Sequence, residues 1–438
     1  MRLKKFFQCM GVLFSAFLLA PSIGSAASNE EMMKKIDMLQ SQIDQLKGQL
    51  TAVETKTEAV AEAKGVELTP GSAASRAKEF FSKSEIHAFA DAGYVFNTTS
   101  DKANPIGVFH KDDNDFFANG ELVLLNPAEK LWDVGFRTDV HFGTDIADAI
   151  TALGSDADDF DFEQVYVESI VPFFDKEVKL TAGKFITHMG WEYIDGYDAL
   201  NDNITRSVAF GFGIPFTHTG IKANYKINDN AEFTLIGSNG WDNVDDNNDA
   251  KTVGTQLILN LADNLTLYAN GIAGPEQTED DNDWRYVANL ILEYAMNDQW
   301  TFVLDGGYGH EDDVDSIVAI APAIIATTIG GVTALDAATV AFVAEDDADW
   351  GWLVGYVRYQ LDEKWALITR GEVFFDDDGA RTGLEQAIAG VTETVEYAIN
   401  DNARLRLEGR YDHSDEKFFD EGSDKDQFVV ALNAQLRF

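Results

Sequence analysis

From residue 85 to the C-terminus, apolar and polar positions alternate with a period of two. In the last stretch, Phe428, Val430, Leu432, Ala434, Leu436 and Phe438 alternate with Val429, Ala431, Asn433, Gln435 and Arg437. Trp132, Val134, Phe136, Thr138, Val140 and Phe142 alternate with Asp133, Gly135, Arg137, Asp139 and His141 in the same way. Each such run predicts a β-strand with one apolar face and one face carrying charges of both signs. In a soluble sandwich the apolar face meets a second sheet. In a bilayer it meets lipid, and the charged face lines a wet interior.

Three features favour the bilayer. The runs span about 10–13 residues, the length of tilted membrane strands rather than ordinary soluble ones. Their connections alternate between short turns, such as 228–230, 262–264 and 400–402, and long acidic loops, such as 98–113, 143–159, 188–215 and 310–348. Aromatic residues (Trp132, Trp284, Trp300, Trp350, Trp352, Trp365, Phe438) sit near strand ends, as an interfacial girdle requires. The expected strands are 85–97, 114–125, 131–142, 160–171, 176–187, 216–227, 231–239, 250–261, 265–273, 283–296, 300–309, 349–361, 365–375, 386–399, 403–412 and 425–438. The expectation is thus an all-β transmembrane protein, an antiparallel barrel of about sixteen strands. An even number puts both ends of the barrel on the short-turn side, and sixteen strands leave an aqueous channel.

Upstream of residue 85 the pattern changes. Arg2, Lys4 and Lys5 precede an apolar stretch from Phe6 to Ala20 and the small residues Gly24-Ser25-Ala26, so residues 1–26 read as a secretory signal peptide. Cys9 lies inside that stretch, and the mature chain is left without cysteine. Over 27–63 apolar residues recur in steps of three and four: Met32, Ile36, Leu39, Ile43, Leu46, Leu50 and Val53. A heptad seam of this kind is expected to self-associate as a coiled coil, with Ile36, Leu39, Ile43, Leu46 and Leu50 at the oligomer interface. Residues 64–84, with Pro70 and Gly71, read as a linker.

Composition narrows the function. The chain has 33 Lys+Arg against 75 Asp+Glu, a formal net charge of −42. Such a surface repels phosphate backbones and excludes nucleic acid as a partner. The hydrophobic content of 45% is too high for a disordered acidic chain. The seven histidines are scattered, no serine sits in a G-x-S-x-G motif and no H-E-x-x-H occurs, so no catalytic residues, metal or cofactor are assigned. His188 and His218 flank the same long segment and are the one pair placed to meet. The Asp clusters at 112–115, 156–161, 242–249 and 376–378 lack the spacing of a calcium loop and read as solvated loop charge.

Several blocks carry a family resemblance. They are Ala182-Gly183-Lys184-Phe185, Gly190-Trp191-Glu192, Thr205-Arg206-Ser207, Pro215-Phe216-Thr217-His218-Thr219-Gly220 and Asn239-Gly240-Trp241-Asp242. With these, residues 85–438 resemble the OmpL-like beta-barrel porin family of Gram-negative outer membranes. The resemblance implies an outer-membrane channel and supplies no catalytic residue. The terminal Phe438 is similar to the C-terminal signal read by the barrel-assembly machinery. Outer-membrane lipid and a second and third copy of the chain, forming a homotrimer, are the other expected partners, with the N-terminal segment in the periplasm.

If the barrel is a pore, its chemistry lies in charges on the inward phase. These are Glu121, Arg137, Asp139, Lys222, Arg370, Glu372, Arg404, Arg406, Glu408 and Arg410, with Asn119 and His141 beside them. Rows of arginine and carboxylate across a narrow lumen filter charged solutes. The segment 188–215 mixes aromatics with Asp, Asn and Gly and is expected to fold inward, making Trp191, Glu192, Tyr193 and Arg206 constriction candidates. Residues 316–335 form a charge-free apolar stretch, expected to belong to an outer loop. The expected function is passive diffusion of small hydrophilic solutes or ions. A substrate-specific channel or receptor for an organic solute or siderophore is the alternative, and an outer-membrane hydrolase a more distant one.

Overall fold

The computed structural model describes residues 75, 82–98, 104–109, 114–144, 160–174, 176–198, 200–314 and 346–438. The chain divides into two units, Met1–Lys83 and Ser84–Phe438, and the second is the barrel. The heptad residues Ile36, Leu39, Ile43, Leu46 and Leu50 and the apolar stretch 316–335 lie outside the described residues.

Sixteen strands make up the barrel: β1 (Glu85–Asn97), β2 (Asp115–Asn126), β3 (Val134–Gly143), β4 (Phe160–Phe173), β5 (Lys176–Ile186), β6 (Thr217–Asn228), β7 (Ala231–Ser238) and β8 (Thr252–Ala262), followed by β9 (Leu265–Pro275), β10 (Trp284–Ala295), β11 (Trp300–Val314), β12 (Asp346–Gln360), β13 (Trp365–Asp376), β14 (Gln386–Asn400), β15 (Ala403–Ser414) and β16 (Asp426–Arg437). Each pairs antiparallel with its sequence neighbours. β1 closes the ring on β16, from Phe89 opposite Arg437 to Asn97 opposite Val429. Closure leaves no unpaired edge, which is the condition for crossing hydrocarbon with strands.

Alternation dictates which side chains turn inward. In β16, Gln427, Val429, Ala431, Asn433 and Gln435 are buried, whereas Leu432 is exposed on the outer face. In β15, Arg406, Glu408, Arg410 and Asp412 are buried and Leu405 is exposed.

The short connections share one device. Asn228, Asn297, Asp362 and Asn400 each accept, through the side-chain oxygen, a backbone N–H two residues ahead. An Asx turn of this kind reverses the chain without a third strand to hold it. Paired rings flank these turns, Trp300 stacked on Tyr359 at 4.3 Å and Trp365 tilted against Tyr397 at 4.7 Å between centroids.

Two tryptophans depart from the expected girdle. Trp350 and Trp352 are buried, because β12 carries them on its inward phase with Val354 and Tyr356. Their indole N–H groups are used inside the barrel, Trp352 Nε1 donating to Asp305 Oδ1 (2.9 Å) and Trp350 Nε1 to the Gly213 carbonyl (3.3 Å). Trp132 and Trp365, by contrast, are exposed.

Candidate functional site

The segment joining β5 to β6, residues 187–216, touches strands all around the ring. A single connection reaches β2, β3, β10, β11, β13 and β15 of a closed barrel only by lying inside it. Its course begins at Gly190, whose φ of +78° suits glycine and whose N–H donates to Asn289 Oδ1 on β10 (3.1 Å). Trp191 N–H then donates to Asp305 Oδ2 on β11 (2.8 Å).

The segment next crosses to the β1–β3 side. Tyr197 N–H donates to Glu121 Oε2 on β2 (2.6 Å), and the Tyr197 ring stacks on His87 at 4.0 Å. The approach is so close that a Cβ on Gly196 would meet Glu121 Oε2 at 2.7 Å. Asp198 takes a two-pronged contact from Arg137 (2.7 and 2.9 Å), whose Nε also binds Asp139 (2.7 Å).

Residues 201–208 return along β13–β15, and here the wall holds the backbone. Arg406 Nη1 donates to the carbonyls of Asn201 (2.7 Å) and Asn203 (2.9 Å), and Arg404 Nη2 to that of Asn201 (2.8 Å). Arg370 Nη1 donates to the Thr205 carbonyl (2.6 Å) and Arg410 Nη1 to that of Arg206 (2.5 Å). In the opposite sense, Glu408 accepts the N–H groups of Ile204 (2.6 Å) and Thr205 (2.9 Å), and Glu372 that of Val208 (2.6 Å). Buried irregular backbone has no ladder to satisfy it, so side chains must supply each partner. The arginines of β13 and β15 therefore face loop carbonyls rather than an opposing row of carboxylates.

Within the segment, Glu192 is the internal organiser. It accepts the Ser207 N–H (2.7 Å) and hydroxyl (2.6 Å) through one oxygen and pairs with Arg370 through the other (2.9 Å). Arg206 pairs with Asp195 (2.6 Å), and its guanidinium lies 5.8 and 6.0 Å from the Phe109 and Phe210 ring centres. Tyr193 is exposed and Trp191 half-buried. The turn of π-helix Ala209–Gly213 packs with Trp350, Trp352, Phe374 and Ile388 in an apolar cluster inside the barrel.

Among the wall candidates, Lys222 on β6 stands apart from the loop, with Nζ 4.6 Å from the Phe185 ring centre. Toward the short-turn end, Leu200, Glu396, Arg404 and Gln435 line a cavity of about 220 Å³. Among the contributors that sequence reasoning missed are Asn289 and Asp305 on the wall and the stretch 104–109 of the β1–β2 connection. Ile106 and Phe109 join the same apolar cluster, and Asn104 Oδ1 accepts from Gln427 Nε2 (3.0 Å). The signal was present as Ile106, Val108 and Phe109 within an otherwise acidic loop.

The two most distinctive blocks of the chain bind each other. Asp242 Oδ1 accepts the N–H groups of Phe216 (2.6 Å) and Thr217 (2.8 Å), fixing the point where the inner segment rejoins the barrel. Burial pushes the Asp242 carboxyl up to about 7, against the lowering effect of these two donors. His188 and His218 do meet, with ring centres 5.7 Å apart, but each is engaged elsewhere. His188 Nε2 lies 3.1 Å from the Gly271 carbonyl, and His218 Nε2 lies 3.1 Å from Thr187 Oγ1. The aspartates of two acidic clusters serve as turn acceptors, Asp242 as above and Asp376 for Arg381 and Thr382 N–H.

A closed sixteen-stranded barrel with a charged inner face and a segment folded through it defines a channel of the outer membrane. Residues 83–438 match the family described as "Putative beta-barrel porin-2, OmpL-like", and the chain belongs to that family. Three solved structures share the fold. OmpF of Salmonella typhi, in complex with daunomycin, is similar at a TM-score of 0.55 and 11% identity, over 81% of this chain and 97% of that one. The anion-selective porin from Comamonas acidovorans gives 0.52 at 8% identity, over 81% and 99%. The outer-membrane channel DcaP of Acinetobacter baumannii gives 0.51 at 12% identity, over 81% and 97%. At these identities the likeness is one of fold. No curated protein matches the chain by sequence.

Proposed function

We propose that the protein is a passive diffusion channel for small hydrophilic solutes or ions, and that residues 187–216 form its constriction. The observation that carries this reading is the clamp of residues 201–208 between Glu372, Glu408 and the arginines of β13 and β15. A segment held by both its N–H and C=O groups is a fixed obstacle, so it narrows the path without moving during transport. Arg137, Lys222 and Arg404, which are part-exposed, then line what remains of the path, whereas Glu121, Asp139 and Arg410 are buried. The N-terminal heptads are proposed to reside in the periplasm and to join the chain into a homotrimer. Phe438 is proposed to present the C-terminal strand to the assembly machinery.

The acidic excess of the chain lies largely in the long loops, whereas the inner arginines are matched by carboxylates. Mild cation preference is therefore expected. Reversal potentials across planar bilayers in a KCl gradient test this. A potential of the sign set by potassium supports the reading, and a clear chloride preference overturns it. Absence of any conductance from folded protein would overturn the channel itself.

A further inference from the structure

The wall formed by β2, β3 and β4 contains a cluster that the channel reading does not use. Glu121, His141 and Glu163 are each buried, and one ligand atom from each lies within 4.8 Å of the others. His141 Nε2 is 2.7 Å from Glu163 Oε2 and 3.6 Å from Glu121 Oε1. Glu121 and His141 are direct cross-strand partners.

Glu163 reaches the cluster through a break in the strand pattern. Asp139 pairs with Gln164, but the next residue, Val140, pairs with Phe162, so Glu163 is the extra residue of a β-bulge. Simple alternation from Gln164 would have sent Glu163 outward and Phe162 inward. The bulge reverses both, leaving Glu163 buried and Phe162 exposed on the outer face. A bulge re-aims a side chain at the expense of ladder bonds, and here the side chain gained is a second buried carboxylate beside an imidazole.

Charge does not balance at this point. Asp139, Glu121 and Glu163 are buried, and Arg137 is already shared between Asp139 and Asp198. The nearby Lys184 donates to the Phe162 carbonyl (2.7 Å). His141 Nδ1 has no hydrogen-bond partner, so the ring meets polar groups only through the nitrogen aimed at the carboxylates. Two buried carboxylates around one imidazole nitrogen are short of positive charge.

We propose that Glu121, His141 and Glu163 bind one divalent cation of the borderline transition series, such as zinc or cobalt(II). The imidazole ligand selects against calcium and magnesium, which take oxygen alone. Three protein atoms leave coordination positions free for water. The ion staples β2, β3 and β4 together. Because Glu121 also accepts the Tyr197 N–H, it fixes the inner segment at the same point.

The test uses the mature protein extracted in detergent, stripped with EDTA and titrated with Zn²⁺ and Co²⁺, with heat-modifiable migration confirming the folded barrel. One equivalent per chain is expected, with Co²⁺ giving visible bands of mixed nitrogen and oxygen coordination. His141→Ala and Glu163→Gln should each weaken binding by on the order of 100-fold. His310→Ala, at the separate cluster of His310, Asp312 and Asp347, should leave that stoichiometry intact. No stoichiometric uptake, uptake indifferent to His141→Ala and Glu163→Gln, loss only in His310→Ala, or binding of Ca²⁺ in preference to Zn²⁺ would each overturn the proposal.

Discussion

The two walls that grip residues 187–216 are built on different principles. Along β13–β15, Arg370, Arg404, Arg406 and Arg410 stand among Glu372, Glu396, Glu408 and Asp412, and both signs are bonded to the loop backbone or to each other. Along β2–β4, Glu121, Asp139 and Glu163 share Arg137 and a histidine. The first wall neutralises itself and spends its donors and acceptors on irregular backbone. The second holds the loop by fewer contacts and keeps an excess of buried carboxylate. Burying charge is tolerable in the first case because each ion has several hydrogen-bonded partners; in the second a further cation is called for.

The sharpest way to break this contrast is to remove one carboxylate from each wall. Glu408→Gln takes the charge from a group that accepts Ile204 N–H, Thr205 N–H and two hydroxyls, and leaves Arg370 with one nearby anion fewer. It is expected to cost about 1–3 kcal/mol, the range for leaving a buried hydrogen-bonding group unsatisfied. Glu121→Gln, measured in EDTA, is expected to leave stability unchanged or to raise it, since it relieves crowding of like charge. Urea unfolding in detergent micelles reads both. Equal losses in the two variants would erase the distinction between the walls.

A smaller effect concerns the junction where the segment rejoins β6. The Asp242 carboxyl is raised to about 7 by burial, so the folded state holds its proton over a range in which the unfolded chain has lost it. Its contribution is full below the ordinary carboxylate range and is lost as pH rises through about 7. Asp242→Asn should flatten the pH dependence of the unfolding midpoint between about 4 and 7. An unchanged slope in the variant would assign the dependence to other groups.

The strands were legible because lipid on one side and polar contacts on the other impose the period of two along the whole barrel. The positions of the short turns were legible as well, and the structure adds that an Asn or Asp side chain caps several of them. Where the inward face is apolar, the pattern misleads: Trp350 and Trp352 have the composition of a lipid girdle and the phase of a core. Glu163 could not be placed from alternation, since the bulge that redirects it leaves no mark in residue type. The grip on residues 201–208 was equally hidden. It joins side chains to backbone groups, which every residue has, across sequence separations of about two hundred residues.

The central claim is that the segment through the lumen sets the size of the path. Single-channel conductance of the wild type against a variant with residues 191–208 replaced by a short glycine-serine bridge tests it most directly. The variant is expected to form a folded barrel whose conductance rises several-fold and whose exclusion limit for uncharged sugars moves upward. A folded barrel with unchanged conductance would contradict it.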